Sequence, residues 1–185
     1  MKYAVLIIVF LASSGVGGRL ALADQSDERL PPLFEQLLAT NSLDTAKVIE
    51  QAIWHIWMSS GNSVVDRLML QGVQQMTHGK FQQAVATFTA ITEITPKFAE
   101  GWNKRATVRF LMGDHDGSIE DVGRTLALES RHFGALAGLG QMLAHRDADA
   151  MALKAFEQAI KLNPHMPQLL EKIQALRVSV YGIKT

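Results

Sequence analysis

The sequence predicts an all-α fold, a right-handed α-solenoid built from antiparallel helix hairpins. Two observations carry that prediction. Residues recur at a fixed distance: Leu68 and Leu136, Gly72 and Gly140, Ala84 and Ala152, Phe88 and Phe156, and Pro96 and Pro164 each stand 68 positions apart. The midway positions hold Trp102, Ala106, Ser118, Val122 and Ser130. The period is therefore 34, and three units run on without insertion. A period in this range marks a stacked repeat architecture. The composition agrees: Gly and Pro are too few (14 and 5 of 185 residues) for a disordered or fibrous chain.

The chain opens with a pattern typical of secretory signals. Lys2 precedes an uninterrupted apolar run from Tyr3 to Ala12, and Ala21-Leu22-Ala23 forms an A-x-A site before Asp24-Gln25-Ser26-Asp27-Glu28. Ten apolar residues rise about 15 Å as a helix, half of a ~30 Å hydrocarbon core. The expectation is a signal peptide over 1–23, cleaved after Ala23. No Cys follows that site, so a lipoprotein anchor is not expected. Removing Lys2 and Arg19 turns a balance of 18 basic and 18 acidic side chains into a slightly acidic mature chain.

Residues 24–64 come next. Leu33, Leu37 and Leu38, then Ala46, Ile49, Ile53 and Trp57, fall at helical spacing. They predict two capping helices, a worn repeat ahead of the first full one. Trp57 is expected to pack on that first repeat. The full units follow at 65–98, 99–132 and 133–166. Within each, small residues (Gly72, Ala106, Gly140; Ala84, Ser118, Ala152) allow two helices to approach closely. Leu68, Trp102 and Leu136 fill the space between them. Gly79 and Gly113 suit a left-handed turn between the helices, and Asp147 occupies the same place in the last unit. Pro96 and Pro164 stop the second helix. Residues 167–185 read as a capping helix over Pro167–Val178 and a tail. Glu171, Lys172, Gln174 and Arg177 supply the polar outer face that a terminal unit requires.

These units resemble tetratricopeptide repeats. The last matches best, with Leu136, Leu139, Gly140, Ala152, Phe156, Ala159 and Pro164. The first has Leu68, Gly72, Ala84, Phe88 and Pro96. The middle one diverges most, with Ser118 and Ser130 where Ala and Pro are usual. Together with the N-terminal signal, the chain is similar to small periplasmic tetratricopeptide proteins of Gram-negative bacteria, alphaproteobacteria in particular. That resemblance implies a periplasmic location and a concave groove, lined by the first helix of each unit, that binds peptides.

In this register the groove residues are Met69, Val73 and Met76, then Asn103, Thr107 and Phe110, then Gln141. Lys104 and Arg109 are candidate basic contacts for an acidic segment. Arg105 is read instead as the internal partner of Asp121. The family's dicarboxylate clamp is not expected, because its positions hold Met69, Val73, Lys104, Gly134 and Gly138, of which only Lys104 is polar. Trp54 is read as core.

Other chemistries find little support. With no Cys there is no thiol nucleophile, disulfide or Cys-based zinc site. A neutral charge balance gives no footprint for nucleic acid. No catalytic constellation is present, and no cofactor is expected. His78, His115 and His145 fall near the turns with Asp114, Asp116, Asp147 and Asp149. Adjacent repeats should hold these turns roughly 10 Å apart, too far to share a metal ion, so no metal is expected. The expected function is an exported, non-catalytic protein-interaction scaffold. The alternatives are a self-assembling structural solenoid, forming a homo-oligomer, and a carrier of a small hydrophobic ligand.

Overall fold

The computed structural model describes residues 27–182. The signal-peptide expectation for 1–23 lies outside the described residues. Among the described residues every regular element is an α-helix: α1 (Leu30–Ala39), α2 (Leu43–Met58), α3 (Ser63–Thr77), α4 (Phe81–Ile94), α5 (Ala99–Leu111), α6 (His115–Leu128), α7 (Phe133–Ala144), α8 (Asp149–Leu162) and α9 (Pro167–Tyr181). None of them is long and apolar enough to cross a membrane.

Helices α3/α4, α5/α6 and α7/α8 form three successive hairpins, and α9 closes the row against α8. Small residues make the hairpins tight. A Cβ at Gly72 would stand 2.6 Å from the Phe88 ring, and one at Gly140 would collide with Phe156. The turns have the left-handed geometry their residues suggest: φ is 71° at Gly79, 81° at Gly113 and 56° at Asp147. Asp147 is the one non-glycine residue among the described residues to adopt it. Caps fix the helix starts. Asn62 accepts the Val64 N–H at 2.9 Å, Asp114 that of Gly117 at 3.0 Å, and the ring of His132 that of Ala135 at 3.1 Å.

The α1–α2 hairpin departs from expectation. It does not stack ahead of α3 as a worn repeat would. It crosses to the other end of the row and packs on the loops that precede α7 and α9. Leu30, Phe34, Leu37, Ile49, Ile53, Ile56 and Trp57 share a core with Phe133, Leu162 and Met166. Trp57, expected on the first repeat, stacks on His132 at 4.2 Å with the planes 13° apart. Polar bonds tie the same seam: His165 Nε2 to Leu37 O at 3.0 Å, and Asn163 Nδ2 to Glu50 at 3.3 Å.

Gln71 of α3 stands 34 positions before Arg105, which faces Thr89 and Thr92 of the preceding α4, whereas Gln75 accepts from Thr87 within its own hairpin. The apolar area that the α1–α2 hairpin covers is that of Phe133, Leu162 and Met166. Leu30, Leu37 and Ile53 are fully buried there. Burial of one such side chain is worth about 1.5–3 kcal/mol, so the hairpin is a fixed bracket across repeats two and three.

Candidate functional site

Between α5 and α7 lies a cleft of ≈ 280 Å³. Thr107, Phe110 and Leu111 of α5 form one wall. Gly134, Gly138 and Gln141 of α7 form the other, with Ser118, Val122 and Met142 deeper in. No lining residue is charged. The glycines explain the opening. Gly134 and Gly138 are four apart on α7 and leave its face bare. A Cβ at Gly138 would meet nothing within 4 Å.

The bracket closes one end. The indole of Trp54 lies over Gly134, where a Cβ would come within 2.7 Å of it. Lys104 sits over the same indole, 5.4 Å from the ring centroid. Trp54 also meets His132 and Phe133 edge-on at 5.4 and 5.7 Å. The groove therefore ends at Trp54 and opens toward Phe110 and Leu111, of which Leu111 is 51 % exposed.

Polar groups in the cleft are partly engaged. Ser118 donates to Ala106 O at 2.7 Å and also touches Met142 Sδ at 2.9 Å. Thr107 donates to Asn103 O at 3.0 Å. Asn103 Nδ2 donates to Glu100 Oε2 at 2.9 Å, and Gln141 Oε1 accepts from Lys172 of α9 at 3.2 Å. The side-chain oxygen Oδ1 of Asn103 and the side-chain nitrogen Nε2 of Gln141 have no partner in these bonds.

Four of the seven groove residues read from the sequence thus meet in one cleft: Asn103, Thr107, Phe110 and Gln141. The other three do not join them. Met69 is 1 % exposed and belongs to the core with Ala84 and Phe88. Val73 and Met76 are half-buried against that core, and Met58 from the end of α2 packs on it too. The long, flexible side chain of Met69 turns inward where Asn103, one repeat on, stays with the cleft. Leu70 is exposed on α3 instead, in register with Lys104 and Gly138.

The two candidate basic contacts both have partners within the chain. Lys104 pairs with Glu100 at 2.9 Å. Arg109 bonds Asp121 and Gly117 O at 3.0 Å and lies 3.5 Å from Asp114. Arg105 grips Asp121 with two bonds of 2.8 and 2.7 Å, the internal pairing the sequence predicts. Glu100 is wholly buried. Burial alone would raise its pKa, but the Lys104 ammonium and the His132 imidazole outweigh that and hold the carboxyl below the usual glutamate range.

Sequence reasoning missed Trp54 as the end wall and Gly138 as the floor of the opening. The available signal was the spacing Gly134-x-x-x-Gly138 on a helix with no turn to explain it.

The comparisons agree with this architecture. A TPR repeat-containing protein of Rhizobium etli is 31 % identical over 158 residues, 85 % of this chain and 78 % of that protein. The chain belongs to the tetratricopeptide repeat family. Two solved tetratricopeptide structures superpose on it. One is the first TPR domain of Spaghetti (RPAP3) bound to the HSP90 peptide SRMEEVD. Its TM-score is 0.61 at 17 % identity, over 63 % of this chain and 92 % of that one. The other is the Yersinia enterocolitica type III secretion chaperone SycD in complex with a peptide of the translocator YopD. Its TM-score is 0.61 at 15 % identity, over 64 % of this chain and 95 % of that one. At these identities the likeness is one of fold. No protein-family model matches the chain. None of these tetratricopeptide proteins bears an enzyme's name.

Proposed function

We infer that this tetratricopeptide protein is an exported, non-catalytic interaction module that receives a segment of a partner protein in the cleft between α5 and α7. The observation that carries this reading is the cleft itself. It is uncharged, bare at Gly138, closed by Trp54 at one end and open at Phe110 and Leu111 at the other. Such a site takes an uncharged apolar side chain, since burying an unpaired charge is costly. Asn103 Oδ1 and Gln141 Nε2 are an acceptor and a donor for the backbone beside it. Peptides bound to Spaghetti and to SycD support a peptide-binding role. The N-terminal sequence pattern of 1–23 supports export to the periplasm. Self-assembly has less support, because α9 packs on its own α8 through Leu169 and Ile173.

The test is a photo-crosslinker placed at Thr107 in the expressing cell, with a second at the exposed Lys154 as control. A discrete adduct at Thr107 alone, lost in Gly138→Leu, is the expected result. Equal adducts at both positions, or an adduct indifferent to Gly138→Leu, would overturn the reading.

A further inference from the structure

Two side-chain amides line the cleft, Asn103 on the α5 wall and Gln141 on the α7 wall. An amide carries a C=O that accepts and an NH₂ that donates. Which of the two it presents to the cleft depends on what holds the other end.

A charged neighbour makes that choice in both cases. Asn103 is only 7 % exposed, and its Nδ2 donates to Glu100 Oε2 at 2.9 Å. Burial opposes ionisation of Glu100, yet Lys104 and His132 hold its carboxyl below the usual range. An ionised carboxylate only accepts. Asn103 must therefore turn its NH₂ to Glu100 and keep Oδ1 for the cleft. Gln141 is the opposite case. Its Oε1 accepts from Lys172 Nζ of α9 at 3.2 Å. An ammonium only donates, so Gln141 turns its oxygen to Lys172 and keeps Nε2 for the cleft.

The cleft thus carries an acceptor on α5 and a donor on α7. A helical segment cannot use the pair, because its interior N–H and C=O groups are bonded to each other. An extended segment can. In a planar trans peptide unit the N–H and the C=O point in opposite directions. One such unit laid in the cleft turns a donor to α5 and an acceptor to α7. A buried polar atom left unmatched is costly, so Asn103 Oδ1 favours an occupant with a free N–H.

We propose, taking the cleft as the partner site, that it receives an extended segment and reads one peptide unit between Asn103 and Gln141, beside an uncharged apolar side chain at Gly138. Glu100 and Lys172 are the positioning residues that fix the polarity of this pair.

The probe is a short peptide selected on the protein from a randomised display library and counter-selected on Gly138→Leu. Each of its peptide bonds is N-methylated in turn, which removes one N–H at a time. Affinity is expected to fall about tenfold at one bond, next to the apolar residue, and to hold at the others. In Lys172→Glu the carboxylate accepts, so Gln141 turns over and sets Oε1 against the peptide C=O. Affinity should again fall about tenfold, whereas Lys172→Arg, which still donates, should bind like the wild type. Lys172 is exposed, and thermal melts check that both variants keep the fold. A peptide that no single N-methyl group weakens, a loss at every successive bond as a helix would give, or equal affinities for Lys172→Glu and Lys172→Arg would overturn the proposal and leave the cleft as the partner site. A library that yields no peptide sensitive to Gly138→Leu would overturn the cleft reading and the proposal with it.

Discussion

His132 and Glu100 lock the three parts of the molecule together. Ala135 N–H must donate to His132 Nδ1, so Nε2 carries the proton and donates it to Glu100 Oε2 at 2.9 Å. One imidazole thus caps α7, binds α5, and lies flat under Trp57 of the bracket. Replacing it by alanine removes a cap, a charged hydrogen bond and a stacked ring. The expected loss for His132→Ala is about 3–5 kcal/mol, read in urea unfolding. His132→Asn restores the cap alone and should recover about 1 kcal/mol.

Acid should weaken this node through Glu100. Its carboxyl is held below the ordinary range in the folded chain. The unfolded chain therefore takes up the proton first, and the stabilisation is present in full above about pH 4.3. It is lost as pH falls through the lowered folded value. Against Glu100→Gln, the wild type should be more stable by about 1.5–3 kcal/mol at neutral pH, and that margin should shrink as pH falls below 4. A margin constant from pH 7 to pH 3 would contradict this.

Asp121 is the anchor of the middle repeat. It is 1 % exposed and takes two bonds from Arg105 and one from Arg109. Asp121→Asn leaves two guanidinium groups facing a neutral amide. The expected cost is about 3–5 kcal/mol. For a chain of this size the melting temperature should fall by roughly 10 °C.

The two glycines of α7 should behave oppositely. Gly138→Ala adds a methyl into open space and should raise stability by up to about 1 kcal/mol through helix propensity. Gly134→Ala meets Trp54 and should lower stability, with a change in tryptophan emission as the indole shifts. Thermal melts and fluorescence of the two variants separate these outcomes.

The repeat order was legible because its contacts are periodic. Gly72 with Phe88 and Gly140 with Phe156 obey one spacing, and so does the register that faces Arg105 toward Asp121. The bracket was not legible, because its contacts have no period. Leu37 meets His165 across 128 residues, and Glu50 meets Asn163 across 113. Helical spacing identified which residues of α1 and α2 are apolar, but not what would cover them. The site was half legible. Register placed Asn103, Thr107, Phe110 and Gln141 on one face. It did not reveal that Met69 turns inward, or that Trp54 shuts the groove over Gly134.

The central claim is that the cleft beside Gly138 is the partner site. Its most direct measurement is the affinity of the partner caught at Thr107 for the wild type and for Gly138→Leu, with melting curves for both. We predict a loss of affinity of about tenfold or more, as one blocked apolar pocket gives, with the melting temperature of the variant no lower than that of the wild type. Equal affinities in two equally folded proteins would contradict the account.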